Sequence, residues 1–335
     1  MKLKWGIAIA LLAAVLSGCG GGGEAKDVAA TQQEAAKSSS GPPKLRVTLD
    51  SREGPQNIGM LMAERRGFFN DAGLEVSVAN PFEPNRPVSY VAKGTDDFGL
   101  AQQPQVAIAK ENGVPVVAVG SVIPHPTDAM IWLKRSKIDS IADLEGKTIA
   151  VQGIPYQERM LRNILRQAGL SSGDVKIETA PYDLAPALLD GRADAIFGAS
   201  WNIEGVELKV RGADPVITRV QDLGVPDYEG LVVIAPTELV AKDPQLVRDF
   251  MSAFSRGMAA AIGHPDAVAK TIIPYADLAS SREAQRAQIR ATLPLLSTSG
   301  YMDPARAKGL VDWMNEEGLI ERDLSPSSLL RNAYH

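Results

Sequence analysis

From Lys44 onward, short apolar runs alternate with longer segments whose apolar residues recur every three or four positions. Leu45-Arg46-Val47-Thr48-Leu49 is apolar at every second position, the period of a strand with a buried face. Ile58 to Phe69 places Ile58, Leu61, Met62, Arg65 and Phe69 near one helical face. Gly73 stops it, and Leu74 to Val78 is the next predicted strand. The spacing then predicts a helix over Pro87–Lys93, a strand over Asp97–Ala101, a helix over Pro104–Asn112 and a strand over Val116–Ile123, with Gly94 and Gly113 closing the helices. Near-continuous apolar strands separated by helices predict a buried, largely parallel sheet.

The rhythm restarts at Lys147–Val151, a strand, followed by a helix over Tyr156–Ala168 whose inner face is Met160, Leu161, Ile164, Leu165 and Ala168. A strand at Val175–Thr179, a helix at Leu184–Leu189 and a strand at Ala195–Gly198 follow. Gly94-Thr95-Asp96-Asp97-Phe98 and Gly191-Arg192-Ala193-Asp194-Ala195 echo one another at corresponding points of the two series. Met130–Leu133 and Leu231–Ile234 bracket the second series and read as strands crossing between lobes. The last third is helical, with Gln245–Ile262 the clearest case, and is expected to return to the first lobe. The expected fold class is α/β: one lobe from residues 44–134 and 235–335, a second from 135–234, two crossing hinge strands, and a ligand cleft between the lobes. Ligands of such sheets sit at carboxyl ends of strands and at helix starts.

Ahead of this body the pattern changes. Lys2 and Lys4 precede an apolar run from Trp5 to Leu16, shorter than the roughly 20 residues a permanent membrane span needs and typical of an export signal. It ends in Leu16-Ser17-Gly18-Cys19, which resembles the bacterial lipobox. The expectation is a signal peptide over 1–19 and a lipid on Cys19, with several acyl chains for stable anchoring. Residues 20–43 are Gly-, Ala-, Ser-, Gln- and Lys-rich and read as a flexible tether of about 25–30 Å r.m.s. span.

Composition narrows the chemistry. The chain has 335 residues, 45% hydrophobic, 22% charged and 5% aromatic, with a net charge of -5. That is enough apolar content for a core, and the acidic balance argues against nucleic-acid binding. The single Cys permits no intrachain disulfide and no Cys-based zinc site, and the 3 His are scattered. Asp97-Phe98-Gly99 lacks the rest of a kinase's parts and reads as a strand start, Gly20–Gly23 is no phosphate loop, and no Gly-x-Ser-x-Gly elbow occurs. No metal and no cofactor is expected.

The remaining candidates sit at predicted strand-to-helix junctions. Trp201 offers a flat face to a ring or packs in the core, and Asn202 reads a ligand edge or caps the next helix. Glu204 supplies a carboxylate. Tyr156, Gln102, Gln103 and Asp50 occupy similar places. Tyr228 reads as hinge packing and His125, between two prolines, as structural.

These residues carry a resemblance. Met62-Ala63-Glu64-Arg65-Arg66-Gly67-Phe68-Phe69 with Gly73-Leu74-Glu75-Val76, Gln103-Pro104-Gln105-Val106, Ala142-Asp143-Leu144-Glu145-Gly146-Lys147 and Trp201-Asn202-Ile203-Glu204 resemble substrate-binding lipoproteins of bacterial ABC importers, in the thiamine-pyrimidine and aliphatic-sulfonate-binding group. The resemblance covers about residues 45–270. It implies a periplasmic-binding-protein type II fold and a non-enzymatic role. It also implies a small heterocycle such as a thiamine pyrimidine precursor as ligand, and a permease and ATPase as partners. The expected place is the outer face of the membrane or the periplasm, as a lipid-anchored monomer. It puts Asp50, Asn57, Gln103, Tyr156, Trp201, Asn202 and Glu204 in the ligand site. Ser51, Gly54 and Asn57 depart from the aromatic and polar groups usual after Asp50, which keeps aliphatic sulfonates, taurine and riboflavin open as ligands. The same fold includes fungal thiamine-pyrimidine synthases, which resemble this chain but have a Lys and a His where it has Ala101 and Gln105.

Overall fold

In the computed structural model the described residues are 41–83, 86–182, 184–274 and 280–332. The expected leader, the lipidation candidate Cys19 and the tether up to residue 40 lie outside them. The strands are, in chain order, β1 (Lys44–Thr48), β2 (Glu75–Ala79), β3 (Phe98–Ala101), β4 (Val116–Ile123), β5 (Asp128–Leu133), β6 (Thr148–Val151), β7 (Lys176–Thr179), β8 (Ala195–Ser200), β9 (Pro215–Arg219) and β10 (Leu231–Pro236). The helices that position the site are α1 (Ile58–Arg65), α2 (Gln103–Glu111), α3 (Pro155–Gln167), α4 (Glu204–Val210), α5 (Pro244–Ala261), α6 (Arg282–Thr292) and α7 (Pro304–Glu316).

The strands form two five-stranded sheets, ordered β2-β1-β3-β10-β4 and β7-β6-β8-β5-β9. β1 runs parallel to β2 and β3, and β6 runs parallel to β7 and β8. β10 and β5 lie antiparallel to both of their neighbours. This gives the parallel cores that the continuous apolar strands predict, each interrupted by one strand arriving from the other sheet. β3, β4, β5 and β8 are buried along their whole length, as strands covered by helices on both faces must be.

The chain passes between sheets at residues 124–127 and 220–230. β5 therefore belongs to the second sheet and β10 to the first. The sequence divisions at 134/135 and 234/235 fall at the far ends of those strands, because an apolar run does not reveal which sheet it joins.

In the first lobe α5 lies on α1, and the Phe250 ring stacks on Phe98 (centroids 3.8 Å apart) and on Phe69 (5.0 Å). The C-terminal segment returns to this lobe: Leu330 bridges to Ala118 of β4. α6 is divided, since Ile289 joins the first lobe's core while the helix packs against α4 of the second.

Candidate functional site

The carboxyl ends of β1, β3, β6 and β8 meet around one cavity of about 130 Å³. The first lobe contributes Asp50, the loop through Ser51, Arg52 and Gln56, and Gln102. The second contributes Gln152, Ile154, Tyr182, Ser200, Glu204 and Glu207, and α6 adds Gln288. Strand ends are where a parallel sheet leaves backbone and side chains free to face a ligand. Gly198 sits in a bulge of β8, where Ala199 pairs with Ala129 and Phe197 with Met130. Its φ of 77° and the closeness of the Gln157 side chain leave no room for a Cβ, so bare backbone forms the cavity wall there.

Two acids dominate the electrostatics. Asp50 is 9% exposed, and burial raises its carboxyl to about 6, offset in part by the Asn57 Nδ2 donor at 2.6 Å. Burial likewise raises Glu204 to about 7, although its Oε2 accepts the Ser200 N–H at 2.7 Å. Both groups can therefore be neutral or ionised near neutral pH, so each can donate or accept a hydrogen bond. Amides surround them. Gln56 Nε2 donates to Ser200 Oγ across the lobes at 2.6 Å, and Gln288 donates to the Ile203 carbonyl at 3.2 Å while its own Oε1 is buried without a partner. Among the described residues, Arg52 is the one cationic side chain in the lining.

The structure brings Asp50, Gln102 and Glu204 together in this cavity and puts the remaining sequence candidates elsewhere. Asn57 stands behind Asp50 as its hydrogen-bond donor. Tyr156 is 1% exposed and donates its hydroxyl to Asp128 at 3.0 Å, as Tyr228 does from the second crossing. Gln103 is held at that crossing: its Oε1 accepts the Glu229 N–H at 3.0 Å and its own N–H donates to the Glu229 carbonyl at 3.3 Å. Asn202 is fully buried and donates to Thr292 Oγ1 at 2.7 Å. Trp201 packs against the second lobe's core under the Arg219 guanidinium, 4.4 Å from its ring centroid. None of these five residues lines the cavity. Tyr182, Gln152 and Gln288, which do, have no motif around them in the sequence, although Gln152 follows a predicted strand.

Residues 54–268 match the family described as NMT1/THI5 like. This chain belongs to that family. The NMT1/THI5-like chain is 27% identical over 285 residues to a formylaminopyrimidine-binding protein of Halalkalibacterium halodurans, covering 83% of this chain and 86% of that one. It is 25% identical over 283 residues to a 4-amino-5-hydroxymethyl-2-methylpyrimidine phosphate synthase of Schizosaccharomyces pombe, covering 82% of this chain and 81% of that one. Among solved structures, the periplasmic aliphatic sulphonate binding protein of Escherichia coli superposes with a TM-score of 0.67 at 18% identity, over 87% of this chain and 92% of that one. The fold of this NMT1/THI5-like protein is thus the two-lobe periplasmic-binding-protein fold, type II, that the sequence resemblance implies.

Proposed function

We propose that this protein is an extracytoplasmic solute-binding protein of an ABC importer, and that its ligand is a small aminopyrimidine of the kind from which thiamine is built. The observation that carries this reading is the cavity itself: about 130 Å³, walled by two carboxyl groups near neutrality and by several amides. A cavity of about 150 Å³ takes up benzene, so one of about 130 Å³ is on the scale of a single six-membered ring. An aminopyrimidine presents an amino donor beside a ring nitrogen, and a carboxyl group that can hold or release its proton pairs with both at once. A sulfonate is a fixed anion and would meet Asp50, Glu204 and Glu207, with Arg52 as the one cation among the described lining residues. The name of the Halalkalibacterium halodurans relative supports the same ligand class.

We read the protein as a binder and not an enzyme. Where the related synthases have Lys and His, this chain has Ala101, which closes β3, and Gln105, whose Oε1 accepts the Gln102 N–H at 2.9 Å to cap α2. Incubation with pyridoxal phosphate should give no imine absorbance, and a stable imine with pyrimidine product would overturn this reading. No helix among the described residues is long and apolar enough to cross a membrane. A lipid on Cys19 would hold the body at the membrane outer face, with a permease and its ATPase as partners and the body a monomer. Replacing Cys19 by Ala should release the protein from the membrane fraction, and retention there would count against the anchor. Mass spectrometry of small molecules carried through purification tests the ligand class: an aminopyrimidine supports it, and a sulfonate or flavin contradicts it.

A further inference from the structure

The aromatic candidates drawn from the sequence are both committed elsewhere, Tyr156 to Asp128 and Trp201 to Arg219. Among the described residues, the aromatic side chain that lines the cavity is Tyr182. Its backbone is in the left-handed region, with φ 63°. For a bulky residue that conformation is a true outlier, and such strain persists only where the surroundings hold it. Those surroundings come from the other lobe. The Arg52 guanidinium lies over the ring at 4.6 Å from its centroid, and the hydroxyl donates to the Pro81 carbonyl at 3.4 Å. Burial pushes the phenol up to about 12, so it stays neutral and keeps this donor.

We infer that Tyr182 supplies the aromatic face on which the ligand ring stacks, with Arg52 covering the opposite face of the tyrosine. The inference rests on the planar-ring ligand of the preceding reading. Arg52, Tyr182 and the ligand then form a three-layer stack spanning both lobes. The guanidinium draws on the tyrosine π-system from one side while the electron-poor pyrimidine stacks on the other. The left-handed backbone turns the Tyr182 side chain into the cavity, and contacts that exist with the lobes together keep it there. Ring selectivity would thus be set by a loop residue of the second lobe and completed by a charge from the first.

The test titrates 4-amino-5-hydroxymethyl-2-methylpyrimidine into the wild type and into Tyr182→Phe, Tyr182→Leu and Tyr182→Gly, and records the thermal midpoint of each. Tyr182→Phe should keep affinity within about threefold, and Tyr182→Leu and Tyr182→Gly should lose tenfold or more, an aromatic stack contributing about that much. Glycine accepts the left-handed backbone freely, so Tyr182→Gly should hold the wild-type midpoint or exceed it while binding fails. A merely structural tyrosine would move midpoint and affinity down together. Wild-type binding with unchanged affinity in Tyr182→Gly overturns the stack and leaves the ligand class standing. No binding by the wild type overturns the ligand class, and the stack with it.

Discussion

Asp50 and Glu204 give the protein a pH dependence that follows from their surroundings. Burial raises them to about 6 and about 7, from ordinary values of 3.8 and 4.5. A carboxyl whose folded value lies above its unfolded one binds more protons when folded. Its contribution is fully present below the unfolded value and is lost as pH rises through the folded value. The unliganded protein should therefore lose stability between about pH 4 and pH 7, and Glu204→Gln should flatten that decline. Thermal midpoints measured across this range check it, and an equal slope in both proteins would contradict the assignment. For binding, Asp50→Asn and Glu204→Gln should each weaken an aminopyrimidine by about ten- to a hundredfold, the worth of a hydrogen bond to a charged group, as read by calorimetry. These two acids were legible in the sequence because one ends a strand and the other starts a helix. Tyr156 and Gln103 occupy the same kind of position yet face the crossings, since neighbouring residues at a junction point in different directions and no periodicity says which points inward. Tyr182 was not legible, because it sits on a loop whose backbone conformation has no signature in a tyrosine.

At the scale of elements, the two crossings are tied together by buried carboxyl groups. Asp128 opens β5 and accepts the hydroxyls of Tyr156 from α3 and Tyr228 from the second crossing, each at 3.0 Å. Glu229 accepts Ser121 Oγ at 2.6 Å and the Asp303 N–H at 3.1 Å, and pairs with Arg306 of α7 at 3.2 Å. Arg306 also donates to the Pro124 carbonyl of the first crossing. Two carboxyl groups taken out of water are tolerable only when hydrogen-bonded in this way. Tyr156→Phe should then cost about 1 kcal/mol of stability by removing one neutral donor, without abolishing ligand binding. A tyrosine that touched ligand would show the reverse, little change in stability and a clear loss of affinity. Gly230 packs on the carbonyl of His125, so the two crossings touch backbone to backbone. Gly230→Ala should destabilise by about 1–3 kcal/mol through overpacking, and an unchanged denaturation midpoint would contradict the contact. The strands on either side were predicted closely from their apolar runs. The sheet each one joins was not, because that depends on long-range pairing.

For the whole molecule, the two lobes are bridged by contacts beside the cavity and also away from it. Gln56 bonds Ser200 at 2.6 Å, Asn202 bonds Thr292 at 2.7 Å, and Arg159 of α3 bonds the Leu319 carbonyl beyond α7 at 2.7 Å. A ligand touching Asp50 on one side and Glu204 on the other adds to these contacts only when the lobes are together, so it shifts the population toward the closed form. The two-lobe α/β architecture was readable from the repeated strand–helix rhythm. The division of α6 between the lobes was not, since its amphipathic pattern shows a buried face but not the two surfaces that share it. The central claim is that the cleft holds a small aminopyrimidine, and calorimetric titration of residues 44–335 tests it most directly. The account predicts saturable binding of 4-amino-5-hydroxymethyl-2-methylpyrimidine at one site per chain, with no comparable heat from taurine, alkanesulfonates or riboflavin. Tight binding of a sulfonate or of riboflavin, with none of the aminopyrimidine, would contradict it.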